Sequence, residues 1–229
     1  MAKKKPYYKK PKKKKKTKKV FVLKRNALLD TLLFYLRASR TKSGKFRSIV
    51  NSIATILFYE ASRNFPTEVA EVKTPNGKFK FRRMKSVSKI FGVSILRGSE
   101  VMLNALFSYF CFADISIAHL GLARDEKTHM PKEYLPMKKL KGKRDYAIIF
   151  DIMLATSGSI SYAIEILKKR GVKHIKIVCI IASREGVKEI MRKHPEVELY
   201  CGVIDPDLND DAYIIPGLGD AGNRSFNTK

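Results

Sequence analysis

Apolar positions divide most of the chain into one amphipathic helix, one hairpin and a series of alternating strands and helices. Between Phe46 and Leu57 the apolar residues recur at intervals of three and four, which predicts a helix that runs to about Arg63. Two stretches of alternating polar and apolar residues then flank Pro75, Asn76 and Gly77. Because Asn-Gly supplies the positive φ of a tight hairpin, we expect a projecting β-arm here.

The rest of the chain repeats a unit in which a short apolar run precedes a helical stretch. Strands are predicted over residues 90–96, 146–150, 174–182 and 197–204, and helices near residues 101–110, 160–170 and 185–193. Alternating units of this length are typical of the α/β class, with a mostly parallel sheet and helices on both faces. Ligands of such sheets bind at the carboxyl ends of the strands.

Length and composition favour one folded domain with an added arm. The chain has 229 residues, of which 45% are apolar, and this excludes wholesale disorder. Asp114 and His119 interrupt the most apolar stretch, so we expect neither a membrane span nor a secreted precursor. Three cysteines without metal-ligand spacing predict reduced core thiols in an intracellular protein: Cys111, Cys179 and Cys201.

Positive charge is concentrated at the beginning of the chain. The 47 Lys and Arg residues exceed the 21 Asp and Glu residues, which gives a net charge of +26. Residues 1–19 contribute +12, residues 20–85 contribute +10 and residues 86–229 only +4. We therefore divide the chain into a disordered polylysine arm, 1–19, and a domain, 20–229. The lysines of the arm are Lys3, Lys4, Lys5, Lys9, Lys10, Lys12, Lys13, Lys14, Lys15, Lys16, Lys18 and Lys19.

The arm has two interpretations. It resembles a nuclear-import sequence of the monopartite kind, or it is a solubilising tail. Alternatively, its lysines bind nucleic acid by releasing counterions from phosphates, and Tyr7 and Tyr8 stack among bases. We favour RNA, with the ribosome as a candidate partner, because the following 66 residues are basic as well. The expected compartment is the cytoplasm, with the nucleus as the alternative.

Candidate chemistry follows three of the predicted strands. Small and hydroxyl residues that open a helix leave backbone N–H groups free to bind phosphate, and one such loop follows the strand 146–150. Arg97 and Arg124 lie in two further loops, where each offers a charged fork for phosphate oxygens. A capped turn and surface ion pairs are the alternatives. The loop consists of Asp151, Ile152, Met153, Leu154, Ala155, Thr156, Ser157, Gly158 and Ser159.

The C-terminal glycine-rich segment YIIPGLGDAG, residues 213–222, resembles the end of uracil phosphoribosyltransferases. The resemblance extends through DIMLATSGS, GLARDE, ILRGS, FYEASR and KTPNGK, and in order from Leu32 to Lys229. It implies a type I phosphoribosyltransferase fold with a C-terminal hood over the base. It also implies the reaction of uracil with phosphoribosyl pyrophosphate (PRPP) to UMP and pyrophosphate, and a homodimer joined partly through the β-arm.

The resemblance assigns roles to individual residues. Magnesium would arrive with PRPP and have no direct protein ligand. The PRPP-binding residues are then Arg97, Arg124, the nine loop residues Asp151, Ile152, Met153, Leu154, Ala155, Thr156, Ser157, Gly158 and Ser159, and Asp220. The uracil-binding residues are Ile214, Gly219, Asp220 and Ala221.

Several residues depart from the family pattern. Ser157 replaces a glycine, and a Cβ that needs positive φ there would cost about 1 kcal/mol. Glu100 directly follows the loop of residues 95–99, which contains Arg97, and would repel the pyrophosphate of the substrate if it pointed inward. Other departures are Ile152, Gly98, Ser99, Ala123, Leu135 and Asn223. They leave open an alternative in which a weak or inactive family member acts as an RNA-binding, ribosome-associated factor.

Overall fold

The computed structural model describes residues 19–85, 89–112, 115–124, 131–139 and 145–228, and its centre is a seven-stranded sheet. In chain order the elements are β1 (Val20–Val22), α1 (Ala27–Arg37), α2 (Ser43–Ser62), β2 (Thr67–Thr74), β3 (Gly77–Met84), β4 (Ile90–Leu96), a 3₁₀ helix (Gly98–Met102), α3 (Leu103–Tyr109), β5 (Ser116–Arg124), β6 (Pro131–Leu135), β7 (Tyr146–Leu154), α4 (Gly158–Lys169), β8 (His174–Ser183), α5 (Arg184–Lys193), β9 (Glu198–Asp205), β10 (Asp207–Leu208), β11 (Ile214–Ile215) and α6 (Ala221–Phe226).

The sheet has the order β1-β9-β8-β7-β4-β5-β6. All of its strand pairs are parallel except β5 with β6, the last pair in this order, which is antiparallel. The predicted α/β class, a mostly parallel sheet with flanking helices, is therefore confirmed. Parallel strands bring their carboxyl ends to one edge, which we call the carboxyl edge. The opposite edge, where the parallel strands begin, is the amino edge.

Successive residues of a strand face opposite sides of the sheet, and this alternation builds two separate cores. On β7, Ile148 and Phe150 face one core, which the apolar sides of α1, α2 and α3 complete. Ala147 and Ile149 face the other core, which α4 and α5 cover. All four residues are fully buried. Because both faces of the central strands are covered, their sequences are continuously apolar rather than alternating.

Most predicted elements are confirmed, with two corrections at strand ends. The predicted helix is α2, and the predicted hairpin is β2 with β3, where Gly77 has a φ of +122°. The strand predicted over residues 146–150 continues to Leu154, because Met153 and Leu154 still pair with β8. Gly121 to Arg124, predicted as a loop, belong to β5 because they pair with β6.

The cysteine prediction holds for two of the three thiols. Cys179 and Cys201 are fully buried and lie opposite each other on β8 and β9. A hydrogen bond with Cys201 and burial raise the pKa of the Cys179 thiol, which keeps it protonated. Cys111 is exposed, so its assignment to the core was wrong. It lies in the turn after α3, beyond the last helical residue that packs on the sheet.

No helix in the described ranges is long and apolar enough to cross a membrane.

Candidate functional site

The predicted phosphate loop lies at the carboxyl edge, between β7 and α4. Asp151 to Leu154 are its strand part, Ala155 to Ser157 form the turn, and Gly158 begins the helix. The turn and the first helical residues enclose a recess of about 100 Å³. Since a water molecule occupies about 30 Å³ of liquid, the recess has room for a group of roughly three waters, the scale of a phosphate. The helix dipole favours an anion there.

Ser157 has the strained conformation that the comparison with the family pattern predicted. Its φ of +78° and ψ of −10° lie in the left-handed region, where a Cβ is unfavourable. The residue is only 4% exposed, and its Oγ atom makes no hydrogen bond within the structure described. The chain therefore retains a strained residue with a buried, unpaired hydroxyl in the wall of the recess.

The back of the loop rests on β8 and α5. The Ser183 hydroxyl donates to the carbonyl of Ala155 at 2.6 Å and accepts from the amide of Gly186 at 2.8 Å. A Cβ at Gly186 would lie 2.2 Å from the same carbonyl, so only glycine fits there. The sequence analysis missed Ser183 and Gly186. A serine followed by Arg-Glu-Gly does indicate a helix N-cap. The local sequence does not indicate that the same serine also holds the phosphate loop.

Asp151 supplies the acid of the site. Its Oδ1 atom accepts a hydrogen bond from the Met153 amide at 3.4 Å. Burial of the carboxyl group raises the pKa of Asp151 to about 7, although part of the residue remains accessible. At neutral pH the group is therefore poised between its two forms and could accept a hydrogen bond from a sugar hydroxyl.

Arg97 is exposed in the turn after β4, as predicted, and the peptide bond that precedes it is cis. The next residue, Gly98, brings three predicted segments together. A Cβ built on Gly98 would lie 3.5 Å from the amide nitrogen of Gly222 and 3.7 Å from Cδ1 of Ile152. Arg124 is the last residue of β5, and its side chain lies outside the described part of the chain.

The predicted hood is the antiparallel pair β10 and β11 followed by a glycine turn and α6. Gly219 has a φ of +75°, and the exposed Asp220 caps α6 by accepting from the Asn223 amide at 2.7 Å. Ile214 and Ala221 are each 4% exposed and pack into the core.

A buried ion pair fastens this hood to the sheet. Both guanidinium nitrogens of Arg37 donate to the Asp205 carboxylate, at 2.7 and 2.8 Å. Arg37 also donates to the Gly217 carbonyl at 2.7 Å, and Asp205 accepts from the Gly217 amide at 2.9 Å. The three residues connect the end of α1, the end of β9 and the hood. The sequence analysis did not find this clamp.

Two further arginines hold the end of the hood. Arg224 donates to the carbonyls of Leu218 and Ala38, each at 2.7 Å, and its guanidinium lies 4.5 Å from the ring centre of Phe46. Arg47 donates to the Ser225 carbonyl at 2.8 Å. Four arginine-to-carbonyl bonds, counting that of Arg37, thus fix a segment with little regular secondary structure.

Glu100 does not face the phosphate loop. It is exposed on the 3₁₀ helix and lines a separate cleft of about 460 Å³ between α2 and α6. Glu100 is thus not among the residues that line the recess of the phosphate loop.

Metal binding was tested on the donor set. Within the described ranges, no group of three or more His, Cys, Asp or Glu residues is placed to hold a metal ion.

The predicted arm is described only at its end. Lys3 to Lys18 lie outside the described residues, so the twelve-lysine assignment stays a prediction. The Lys19 ammonium group donates to the Glu196 carbonyl at 3.0 Å.

Comparisons with known proteins agree on one family. The sequence profile of uracil phosphoribosyltransferases matches residues 22–228. A uracil phosphoribosyltransferase from Finegoldia magna is 44% identical over 203 residues, which cover 88% of this chain and 95% of that protein. One from Clostridium perfringens is 41% identical over 212 residues, 92% of this chain and 99% of that protein. A solved structure from Aquifex aeolicus has a TM-score of 0.82 at 33% identity and covers 90% of this chain and 97% of its own.

The conformation of Ser157 predicts that Ser157→Gly stabilises the protein. Relief of the positive-φ strain and loss of the unpaired hydroxyl should raise the free energy of unfolding by about 1 kcal/mol, measured by urea denaturation. Ser159→Gly, in the first turn of the same helix, is the matched control and should cost about 0.5–1 kcal/mol. If Ser157→Gly destabilises the protein as much as Ser159→Gly does, the conformation of Ser157 is not strained.

The raised pKa of Asp151 predicts a decrease of stability with pH. The carboxyl has a pKa of about 3.9 in an unfolded chain, so the folded protein binds this proton more tightly. That contribution is complete below about pH 4 and is lost as the pH rises through about 7. The free energy of unfolding of the wild type should therefore fall between pH 5 and 8. Asp151→Asn should make that fall smaller by about 2 kcal/mol, a figure that allows for the partial exposure of the residue. If the free energies of unfolding of the wild type and the variant, measured by urea denaturation, change with pH by the same amount, the pKa of Asp151 is not raised.

Proposed function

Because the chain belongs to the uracil phosphoribosyltransferase family, we propose that it transfers the phosphoribosyl group of PRPP to N1 of uracil and forms UMP and pyrophosphate. The observation that carries this proposal is the meeting of three segments at Gly98. There the residue after Arg97 is flanked by the strand of the phosphate loop and by the start of α6, because a Cβ built on Gly98 would lie in van der Waals contact with both Ile152 and Gly222. Each segment corresponds to one part of the two substrates: diphosphate, ribose 5-phosphate and base.

The chain's own residues would bind and orient the reactants. Backbone amides of the turn before α4, with the Ser157 hydroxyl, would hold the 5'-phosphate. Arg97 and Arg124 would bind the diphosphate, and the Asp151 carboxylate would accept from ribose hydroxyls. The hood would place uracil against the anomeric carbon with main-chain groups near Gly219. Uracil N1 would then bond to the anomeric carbon as the bond from that carbon to the pyrophosphate oxygen breaks and the N1 proton passes to solvent, and catalysis would come from positioning and from stabilisation of the leaving charge.

Magnesium fits this proposal as a companion of PRPP. The ion would offset the charge of the leaving diphosphate, whose oxygens would supply most of its ligands. Asp151 and Asp220 are the two carboxylates of the proposed site, and they would reach the ion through its bound water.

A second copy of the chain is proposed as a partner. Val72, Phe79 and Phe81 lie on one face of the hairpin and are 46%, 43% and 38% exposed. An apolar face of this kind would be covered in a homodimer. A chain that sediments as a monomer at all concentrations would exclude this partner.

The basic arm is proposed to tether the protein to RNA. The support is its composition, twelve lysines and no acid in residues 1–19, together with the two tyrosines among them. A ribosomal RNA is one polyanion that would suit it, and the tether would operate beside the catalytic activity.

The catalytic proposal predicts pyrophosphate release that depends on uracil. Purified protein with PRPP, magnesium and uracil should release pyrophosphate, and Arg124→Ala should lower kcat/KM at least about 100-fold, because a charged group is then unpaired in the transition state. Arg192→Ala, an exposed arginine at the end of α5, is the control and should leave the rate unchanged. No turnover at millimolar substrates, with RNA binding retained, would instead favour the alternative of an RNA-binding factor.

The tether predicts salt-dependent RNA binding through the arm. Full-length protein should bind single-stranded RNA at about 50 mM salt, and deletion of residues 1–19 should weaken binding at least about 100-fold, since many phosphate contacts are lost. A gel-shift titration at low and high salt measures both effects. Equal binding by the full-length and truncated chains would show that the arm is not the tether.

A further inference from the structure

The hairpin β2–β3 carries four basic side chains on one face, together with the exposed Val69 opposite Arg82, and a cluster of apolar side chains on the other. Lys73 lies directly opposite Lys78, and Glu71 lies opposite Lys80, with Arg82 next along the same face. The three lysines are exposed and Arg82 is partly exposed. The one acid of this face, Glu71, is 3.6 Å from Lys78. Four basic side chains and one acid leave a net charge of +3 on what we call the basic face.

The other face is nearly neutral. Its centre is the exposed cluster of Val72, Phe79 and Phe81, in which the two aromatic rings are 6.4 Å apart. Its one arginine, Arg83, is paired with Glu68 at 2.9 Å. A protein surface could cover this apolar face while the basic face remained accessible, because the two point in opposite directions from the strand pair.

The hairpin is rooted at the amino edge of the sheet. The Phe65 ring, just before β2, packs edge-on against Tyr146, the first residue of β7, at 5.9 Å. At the end of β3 the Lys85 amide closes the hairpin by donating to the Pro66 carbonyl at 2.8 Å. The proposed PRPP and uracil site lies at the carboxyl edge. The hairpin therefore begins on the side of the sheet away from that site.

The arm joins the domain at the same edge. Lys19 precedes Val20, the first residue of β1, and β1 runs parallel to β9. The carbonyl of Lys19 accepts from the Leu199 amide at 2.8 Å, near the beginning of β9. The point where the polylysine arm leaves the domain and the root of the hairpin thus share the amino edge.

We propose that the basic face of the hairpin binds the phosphate backbone of the same RNA that the arm binds, so that the two form one interface at the amino edge. This inference rests on the proposed RNA tether and adds a folded surface to it. It also explains how a tethered protein could keep its substrate site open, since the interface and the site lie at opposite edges of the sheet.

The arrangement of charges favours a linear polyanion over a flat anionic surface. Alternate residues of a strand are about 6.8 Å apart, so Lys78, Lys80 and Arg82 form a single file along β3. A file of charges can follow one phosphate backbone, and each contact releases counterions. A lipid surface would need several apolar side chains free to insert, whereas the basic face has one exposed large apolar side chain, Val69, and the apolar cluster on the other face suits the proposed dimer contact.

The test compares two variants of the full-length chain that lose equal charge. One carries Lys73→Gln, Lys78→Gln, Lys80→Gln and Arg82→Gln on the basic face. The other carries Lys42→Gln, Lys138→Gln, Lys139→Gln and Lys188→Gln at exposed positions outside the hairpin. Binding of a fluorescent single-stranded RNA of mixed sequence is titrated over a range of salt concentrations. Unchanged thermal melting shows that both variants are folded.

The basic-face variant should bind RNA at least about tenfold more weakly than the control at about 50 mM salt, and its slope of log K against log salt should be smaller by about 2–3. Equal binding by the two variants would overturn the proposal but leave the arm as the tether. If a chain without residues 1–19 binds RNA as tightly as the full-length chain, and the basic-face substitutions weaken that binding, the hairpin is the binding surface and the arm is not the tether. No RNA binding by the wild type would overturn both.

Vesicles of phosphatidylcholine and phosphatidylserine distinguish the remaining partner class. The wild type and the basic-face variant should bind them equally. The proposal fails if the wild type binds the vesicles as tightly as it binds RNA and the basic-face substitutions weaken vesicle binding by the same factor as RNA binding. The surface is then a membrane contact.

Discussion

The buried pair of Arg37 and Asp205 is the interaction on which the proposed site depends. It joins the first long helix to the end of β9 and, through both main-chain groups of Gly217, holds the hood against the sheet. Asp205 is only 3% exposed, so removal of Arg37 would leave a buried carboxylate without its counter-charge, which is far more costly than loss of a surface ion pair. Arg47, Arg224 and the buried Ile214 and Ala221 also hold the hood, but the pair of Arg37 and Asp205 is the contact that joins it to both α1 and β9.

The parallel sheet gives the molecule two ends with different chemistry. At the carboxyl edge, Ser183 and Gly186 support the phosphate loop from behind while Gly98 packs against the start of α6. At the amino edge, the attachment of the arm and the root of the hairpin lie together. Strand direction alone separates the two edges, so a basic appendage could be added without altering the substrate site. The family site and the proposed RNA interface are thus compatible in one chain.

How much the sequence could predict depended on the range of the interactions. Periodic apolar patterns predicted α2, the hairpin and β4 closely, because each pattern is local and long. β1 has three residues and no periodic signal, and its pairing with β9 defines it. The resemblance located the loop and the hood, including the positive φ of Ser157. The clamp joins residues 168 positions apart, and no local pattern signals such a pair.

We expect the clamp of Arg37 and Asp205 to position the base-binding half of the proposed site, whereas the phosphate loop is built separately. Calorimetric titration of UMP and of ribose 5-phosphate into the wild type and Arg37→Lys separates the two halves, because lysine keeps the charge but loses the two-pronged contact. We predict that the wild type binds both ligands and that the variant binds UMP at least about tenfold more weakly while its affinity for ribose 5-phosphate is unchanged. Unaltered affinity for UMP, or an equal fall in affinity for both ligands, would show that the clamp does not position the base separately from the phosphate.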